Sequence, residues 1–448
     1  MNRREFCAHS GATLAAGLFT SANPVWAKSS AADVTLEIAA LRLEIAPRKV
    51  IETIAYNGRV PGPLIRWPEG KPVSIDVRNN TKANEIVHWH GLWIPPDVDG
   101  AMEEGSPLIP PGGIQRYHFI PEPAGFRWYH THTSAGHDFK KGTYTGQFGC
   151  FYIEPKENGG EYDQEIFLTL HDWNGYMGGA EDASMDVSYN YATINDRMLG
   201  FADPIHVRAG QRLLLHILNA SATVTHWIAL AGHRMSAVAM DGNPLPAPGA
   251  EPAVRIAPAE RIDVLAEMNR PGVWILGETR ADMRKMGMGI VVEYAGQQGV
   301  PKWIQPEDAA WDYRRYASPQ PIKTEPDERI ALRFESKFRG HGEFDGWTIN
   351  GKSYPHTDEI RLIGGKRYRL VMNNTSADDH PVHLHRHTFE VTTLYGKPLS
   401  GLLKDVVVVP AKTTAEIDFA ASNPGPTLFH CHQQNHMDFG FMMLFRYA

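Results

Sequence analysis

The chain has 448 residues, 42% of them hydrophobic and 21% charged, with a formal net charge of −7; that is too long for one ordinary domain and predicts two or three. No basic excess or polybasic run is present to hold nucleic acid or a membrane surface, and three cysteines cannot build a disulfide framework. Pro (32) and Gly (41) are plentiful and helical periodicity is scarce, which suits many turns and short strands.

The N-terminus reads MNRREFCAHSGATLAAGLFTSANPVWAKSS. Arg3 and Arg4 precede a short apolar run, and the small-residue end VWA closes at Ala27. This predicts a twin-arginine secretory leader over residues 1–27, handed to the twin-arginine export machinery and then removed. The mature protein is expected in the periplasm or outside a bacterial cell. Cleavage removes Cys7 and leaves Cys150 and Cys431. Neither this run nor a later one is long enough to span a bilayer, so no membrane is expected in the mature form.

Three segments then repeat one pattern, from Tyr56, from Ile194 and from Ile349. Each has an Asn turn (Asn57, Asn195, Asn350), a Gly before a basic residue, alternating apolar positions, and an Asn followed by a hydroxyl residue. The alternation runs Val73/Ile75/Val77, Leu213/Leu215/Ile217 and Tyr368/Leu370/Met372. Period two means strands with one buried face. The spacing of the repeats is that of whole domains. It predicts an all-β chain of three tandem β-sandwich domains: 28–157, 158–296 and 327–448, with 297–326 as a linker.

Histidines number 21, and five His-x-His pairs occur: 88/90, 130/132, 383/385, 385/387 and 430/432. All lie in the first or third repeat. On a strand, residues i and i+2 share a face, so each pair delivers two imidazoles side by side. Four pairs give eight nitrogen donors, suited to copper, zinc or iron, and two domains contributing two pairs each can meet at their interface. In the segment FHCHQQNH, His430 and His432 face one way and Cys431 the other. Cys431 therefore serves a different metal. His436 is near enough along the chain to share it, and His380 is the natural third donor. Two His and one Cys around copper make an electron-transfer site, whereas structural zinc wants four strong ligands.

The motifs H-x-H-G, H-x-H, H-P-x-H-x-H and H-C-H-x-x-x-H occur here in the order of the multicopper oxidases, and the chain from about residue 30 onward resembles the three-domain, laccase-like type. The resemblance implies cupredoxin-like Greek-key sandwiches and four copper ions. It puts type 1 copper on His380, Cys431 and His436, and type 2 on His88 and His383. It puts the type 3 pair on His90, His130 and His432 on one side and on His132, His385 and His430 on the other. It implies a reducing substrate oxidised one electron at a time, and O2 reduced to two waters. Asp99 falls where relatives keep a carboxylate near the cluster, to relay protons; as a residue of sequence it also reads as a turn residue before Gly100. All donors lie in one chain, so a monomer is expected.

Three departures stand out. The axial position of type 1 falls on Phe441, which cannot coordinate, with Met442 one residue late. Met437 stands where many relatives have Glu, with Asp438 beside it. Arg386 replaces a common Gly. Other residues read as ordinary: His387 as a supporting or exposed residue, His118, His137, His171 and the middle-repeat histidines as surface or satisfied, and Cys150 as a small buried hydrophobe. Met283, Met286 and Met288 read as strand packing, and Glu103 and Glu104 as a solvated loop. The substrate expected is a phenol or aromatic amine. The alternative is a metal ion, Cu(I), Mn(II) or Fe(II). A copper nitrite reductase has two domains and no paired type 3 site, and a copper-free scaffold would not need the complete donor set.

Overall fold

The structure is a computed structural model that describes residues 31–157, 160–177, 186–307, 311–319, 324–338 and 344–448. The leader expected over residues 1–27 lies outside the described residues. No helix among the described residues is long and apolar enough to cross a membrane.

Six sheets form three pairs. In the first pair, strands Lys49–Tyr56, Val34–Ala46, Val73–Asn79 and Ile114–Phe119 lie side by side, as do Gly62–Pro68, Phe148–Glu154, Gly125–Thr131 and Val87–His90. The second and third pairs repeat this strand order and lengthen both sheets, to six and five strands. In every unit the first long strand of the sandwich runs parallel to its inner neighbour: Val34 beside Ile75, Leu213 beside Gln164, Glu328 beside Tyr368. The chain is therefore three cupredoxin-like sandwiches.

The alternating positions explain the layering. Val73, Ile75 and Val77, then Leu213, Leu215 and Ile217, then Tyr368, Leu370 and Met372 are all buried. In the first sandwich they share a core with Trp89, Tyr129 and Phe151 of the opposite sheet. The repeated asparagines do the same work three times. Asn57, Asn195 and Asn350 have φ of 51°, 58° and 53°, and their side-chain oxygens accept from Glu37 N, Thr169 N and Arg333 N. Asn tolerates this left-handed region because its short amide bonds locally. The second set, Asn79, Asn219 and Asn374, accepts from the amide two residues on, each at 2.9 Å, and pins a connecting loop through Nδ2.

The second and third sandwiches share one continuous apolar core. The segment read as a linker is held against it. Tyr313 and Tyr316 are buried there, and Tyr313 Oη donates to the Glu260 carboxylate. First and second sandwiches touch backbone to backbone: a Cβ on Gly125 would lie 2.0 Å from Gly242 O. Two expectations need correction. Met283 and Met286 sit on a short helix, Ala281–Met286, rather than a strand; Gly287 at φ 119° ends it before the apolar strand Gly289–Tyr294 begins. Glu103 and Glu104 form a tight turn whose second carboxylate is buried, not solvated.

Candidate metal centre

Four strands aim the paired histidines at one interface. Val87–His90 pairs with Gly125–Thr131 so that His88 lies opposite His130. His380–Leu384 pairs with Thr427–Cys431 so that His383 lies opposite His430. The two pairs of strands, from the first and third sandwiches, bring eight imidazoles together. Ring centroids stand 5.7 Å apart for His88 and His383, 5.2 Å for His90 and His432, 5.1 Å for His130 and His432, and 5.0 Å for both His132–His385 and His385–His430.

Most rings have one nitrogen bonded to a carbonyl or carboxylate, and the other is either unpartnered or, in His385 and His430, set against the neighbouring ring's Nε2 at 3.0 Å. Carbonyl oxygens only accept, so a ring nitrogen bonded to one carries hydrogen. His130 Nδ1 donates to Thr131 O, His383 Nδ1 to Asp405 O and His430 Nδ1 to Cys431 O. His88 Nδ1 lies 2.9 Å from Asp99 O. His90 is reversed, with Nε2 donating to Asp405 Oδ1 at 3.1 Å. The remaining atoms, Nε2 of His88, His130, His383 and His432 and Nδ1 of His90, are buried without a hydrogen-bond partner. Burial first, and neighbouring imidazoles second, push His90, His130, His385, His430 and His432 well below their ordinary range, and His132 to about 3. Burial also lowers His383, against a partial pull upward from Asp405. The shift favours the neutral form of these seven rings, which is the form that donates to a metal.

A second cluster sits on the other side of the same strand. Cys431 Sγ lies 3.7 Å from His380 Nδ1 and 3.5 Å from His436 Nδ1, and the two nitrogens are 3.0 Å apart. His380 Nε2 bonds Ser376 Oγ at 2.9 Å, which turns Nδ1 toward the sulfur. Burial lowers His380, and His436 to about 3, and pushes the Cys431 thiol up. A thiolate here needs a cation beside it. The donor set fits copper: two imidazoles and a sulfur in one cluster, and imidazoles alone in the other. The Phe441 ring lies 4.6 Å from the His380 ring and shares a core with Cys431. Met442 packs away from it, against Ala101, Leu428 and Met437.

Carboxylates surround the larger cluster. Asp99 is fully buried at the end of the short helix Pro96–Asp99. Its Oδ2 accepts from His385 Nδ1 at 2.8 Å and lies 3.1 Å from His88 Nδ1. The turn character is equally real: Gly100 has φ 91°, and a Cβ there would lie 1.8 Å from Val87 O. Glu104, which its sequence context places in a solvated loop, is buried as well. It stands 3.0 Å from Arg386 Nε and accepts from Leu428 N at 2.6 Å. Asp405, which the sequence reading did not single out, holds His90 and His383. The signal was present in LLKDVVVVP, where two charges interrupt an apolar run. Asp438 caps the loop after His132, accepting from Ala135 N and Gly136 N.

The histidines expected to be ordinary surface or satisfied residues have partners. His387 is buried between His385 O and Tyr447 Oη, His118 bonds Ser74 Oγ, His171 bonds Ala220 O, and His137 packs on Phe439. In the middle sandwich, His216 and His226 each sit between two carboxylates, and His233 bonds Tyr294 Oη. Cys150 is buried against Trp128, its thiol pushed up to about 12 by burial.

His436 forms part of the wall of a small surface cavity of about 110 Å³. Asp186 and Asp378 line it together with Val187, Val224 and Trp347.

Models of one family, described as multicopper oxidase, match residues 39–158, 165–292 and 323–448. The chain is 28% identical to the multicopper oxidase MmcO of Mycobacterium tuberculosis, over 86% of this chain and 81% of that one. Among solved structures, it resembles Fet3p, described as a multicopper oxidase that functions in iron import. The TM-score is 0.80 at 20% identity, over 93% of this chain and 90% of that one. A multicopper oxidase from Pseudomonas thermotolerans gives a TM-score of 0.73 at 26% identity, over 93% of this chain and 100% of that one.

Proposed function

Because the chain belongs to the multicopper oxidase family and is an oxidoreductase, we propose that its buried donor sets hold four copper ions and make it a laccase-like oxidase of phenols and aromatic amines. His380, Cys431 and His436 hold type 1 copper. His88 and His383 hold type 2. His90, His130 and His432 hold one copper of the type 3 pair, and His132, His385 and His430 hold the other. The observation that carries this reading is the two-sided strand end: Cys431 Sγ faces His380 and His436, while its neighbours His430 and His432 turn into the imidazole cluster. Bound there, copper supplies one-electron oxidation at the sulfur site and four-electron reduction of O2 to two waters at the cluster.

The residues do the rest. Cys431 joins the two sites covalently through its own peptide groups, and its carbonyl accepts from His430 Nδ1. Asp99 orients His385 and His88, and its buried Oδ1 has no protein partner, so it can take and release protons beside the cluster. At the outer site, Val187, Val224 and Trp347 offer an aromatic ring a surface to pack on, and Asp186 and Asp378 can accept from its hydroxyl or amine. Phe441 brings no lone pair to type 1 copper, which favours a strongly oxidising site.

The same two carboxylates favour a second reading, a metal-ion oxidase. Carboxylates suit Fe(II) or Mn(II) better than the softer Cu(I). Steady-state O2 uptake with a methoxyphenol, an aromatic diamine, Fe(II), Mn(II) and Cu(I) decides between them. Turnover of the organic substrates with little metal oxidation supports the first reading, and the converse supports the second. Nitrite turnover without O2 uptake would point to a nitrite reductase. A colourless protein after copper-supplemented expression would sink all of these. Export through the twin-arginine machinery to the periplasm or beyond is supported by Arg3, Arg4 and the VWA end at Ala27. Action as a monomer is supported by the presence of every donor in one chain.

A further inference from the structure

Six charged side chains are buried where the three sandwiches meet: Arg127, Asp241, Glu260, Arg261, Lys404 and Asp405. Three are cations and three are carboxylates, so the set is neutral. Buried ion pairs of this kind rarely stabilise a fold more than well-packed apolar residues would, because desolvation offsets the attraction. Their geometry suggests another use.

Asp405 is gripped from every side. Arg261 of the middle sandwich meets both oxygens, Nη1 to Oδ1 and Nη2 to Oδ2, each at 2.6 Å. Arg127 of the first sandwich meets Oδ2 at 3.2 Å. The backbone amides of Asp405 and Val406 both donate to Asp241 Oδ2. So held, Asp405 offers Oδ1 to His90 Nε2 at 3.1 Å and its carbonyl to His383 Nδ1 at 2.7 Å. The backbone after His90 lies directly on this pair: Gly91 has φ 83°, and a Cβ there would stand 2.5 Å from Asp405 Oδ2 and 3.0 Å from Arg261 Nη2.

We propose that Asp405 is a positioning residue for His90 and His383, and that the middle sandwich, which gives the cluster no ligand of its own, sets that position through Arg261. The inference rests on the copper assignment above. A two-pronged guanidinium fixes the plane of a carboxylate, which a lysine ammonium cannot do. The fixed carboxylate then dictates that His90 carries its hydrogen on Nε2 and turns Nδ1 to the metal. The middle sandwich is thereby part of the copper centre and not a spacer.

The test compares Asp405→Asn and Arg261→Lys with Glu260→Gln, which disturbs the same buried network without touching Asp405. Copper per chain is counted, its retention is titrated against a chelator, and EPR and visible spectra are recorded. The unmodified chain holds four coppers. Asp405→Asn and Arg261→Lys retain cluster copper about 10–100-fold less tightly and change its EPR signal, while the sulfur-to-copper absorption keeps full intensity. Glu260→Gln lowers the melting temperature but keeps cluster copper and its spectrum. Wild-type copper retention in both Asp405→Asn and Arg261→Lys overturns the inference, as does equal loss in Glu260→Gln. Should Asp405→Asn not fold, Arg261→Lys, which keeps the charge, decides alone. An unmodified chain that takes up copper only at the sulfur site overturns the cluster assignment itself, and the inference with it.

Discussion

Phe441 shows how much depends on a single side chain. Sequence left two candidates beside the sulfur site, Phe441 and Met442, because the turn between His436 and the last strand could shift by one residue. The turn is fixed by its own hydrogen bonds: Phe441 N donates to His436 O, and Phe441 O accepts from Cys431 N. That locks the register, places the Phe441 ring beside His380, and sends the Met442 thioether to the opposite face. The two side chains are similar in size, so Phe441→Met should cost under about 1.5 kcal/mol. It should lower the reduction potential of the sulfur-bound copper by adding a weak fourth ligand. A redox titration that finds no shift would mean that residue 441 does not face the metal. Cys431→Ser should abolish the intense visible absorption while leaving copper in the imidazole cluster; a blue protein after this change would remove the sulfur from the site.

At the scale of strands and turns, the paired histidines were legible because period two requires nothing but the local backbone. His88, His90, His383, His385, His430 and His432 could be put on shared faces from spacing alone. The turn of Glu103 and Glu104 could not. Two acidic residues beside a glycine read as a solvated loop, since nothing nearby in the chain answers their charge. The answer comes from Arg386, far along the sequence. Its Nε meets Glu104, and its two Nη atoms are taken by the Ile94, Asn423, Pro424 and Pro426 carbonyls and by Thr427 Oγ1. Arg386 also has φ 59°, a conformation that explains why Gly is common there and that costs a non-glycine residue about 1–2 kcal/mol. Arg386→Gly should release that strain yet leave Glu104 buried without its cation, a loss of about 3–5 kcal/mol. The variant should therefore melt lower than the parent. A higher melting temperature would show that the ion pair contributes less than the strained backbone costs.

Across the whole molecule, the triple repeat was readable because Asn57, Asn195 and Asn350 answer the same local need in each sandwich. How the sandwiches grip one another was not, because buried ion pairs join residues that sequence keeps far apart. The middle sandwich illustrates the difference: its histidines read as ordinary satisfied residues, which does not reveal what satisfies them. His226 lies between Asp172, at 2.9 Å, and Glu278, at 3.0 Å, and all three are fully buried. Burial alone would lower its pKa, but the two carboxylates outweigh burial and raise it to about 9. His216, between Asp263 and Glu165, is likewise raised to about 9 against burial. In the unfolded chain both return to a value near 6.5. Each pair's contribution is thus complete below about pH 6.5 and is lost as pH rises through about 9, where the neutral ring leaves two carboxylates facing each other. The size of the shift corresponds to about 3 kcal/mol for each histidine. The melting temperature of the copper-loaded protein should fall steadily between pH 6.5 and 9.5, and His226→Gln should flatten that fall while lowering stability at neutral pH. An unchanged slope in the variant would mean that His226 does not hold a proton in the folded chain, and that its two carboxylates are kept apart by other means.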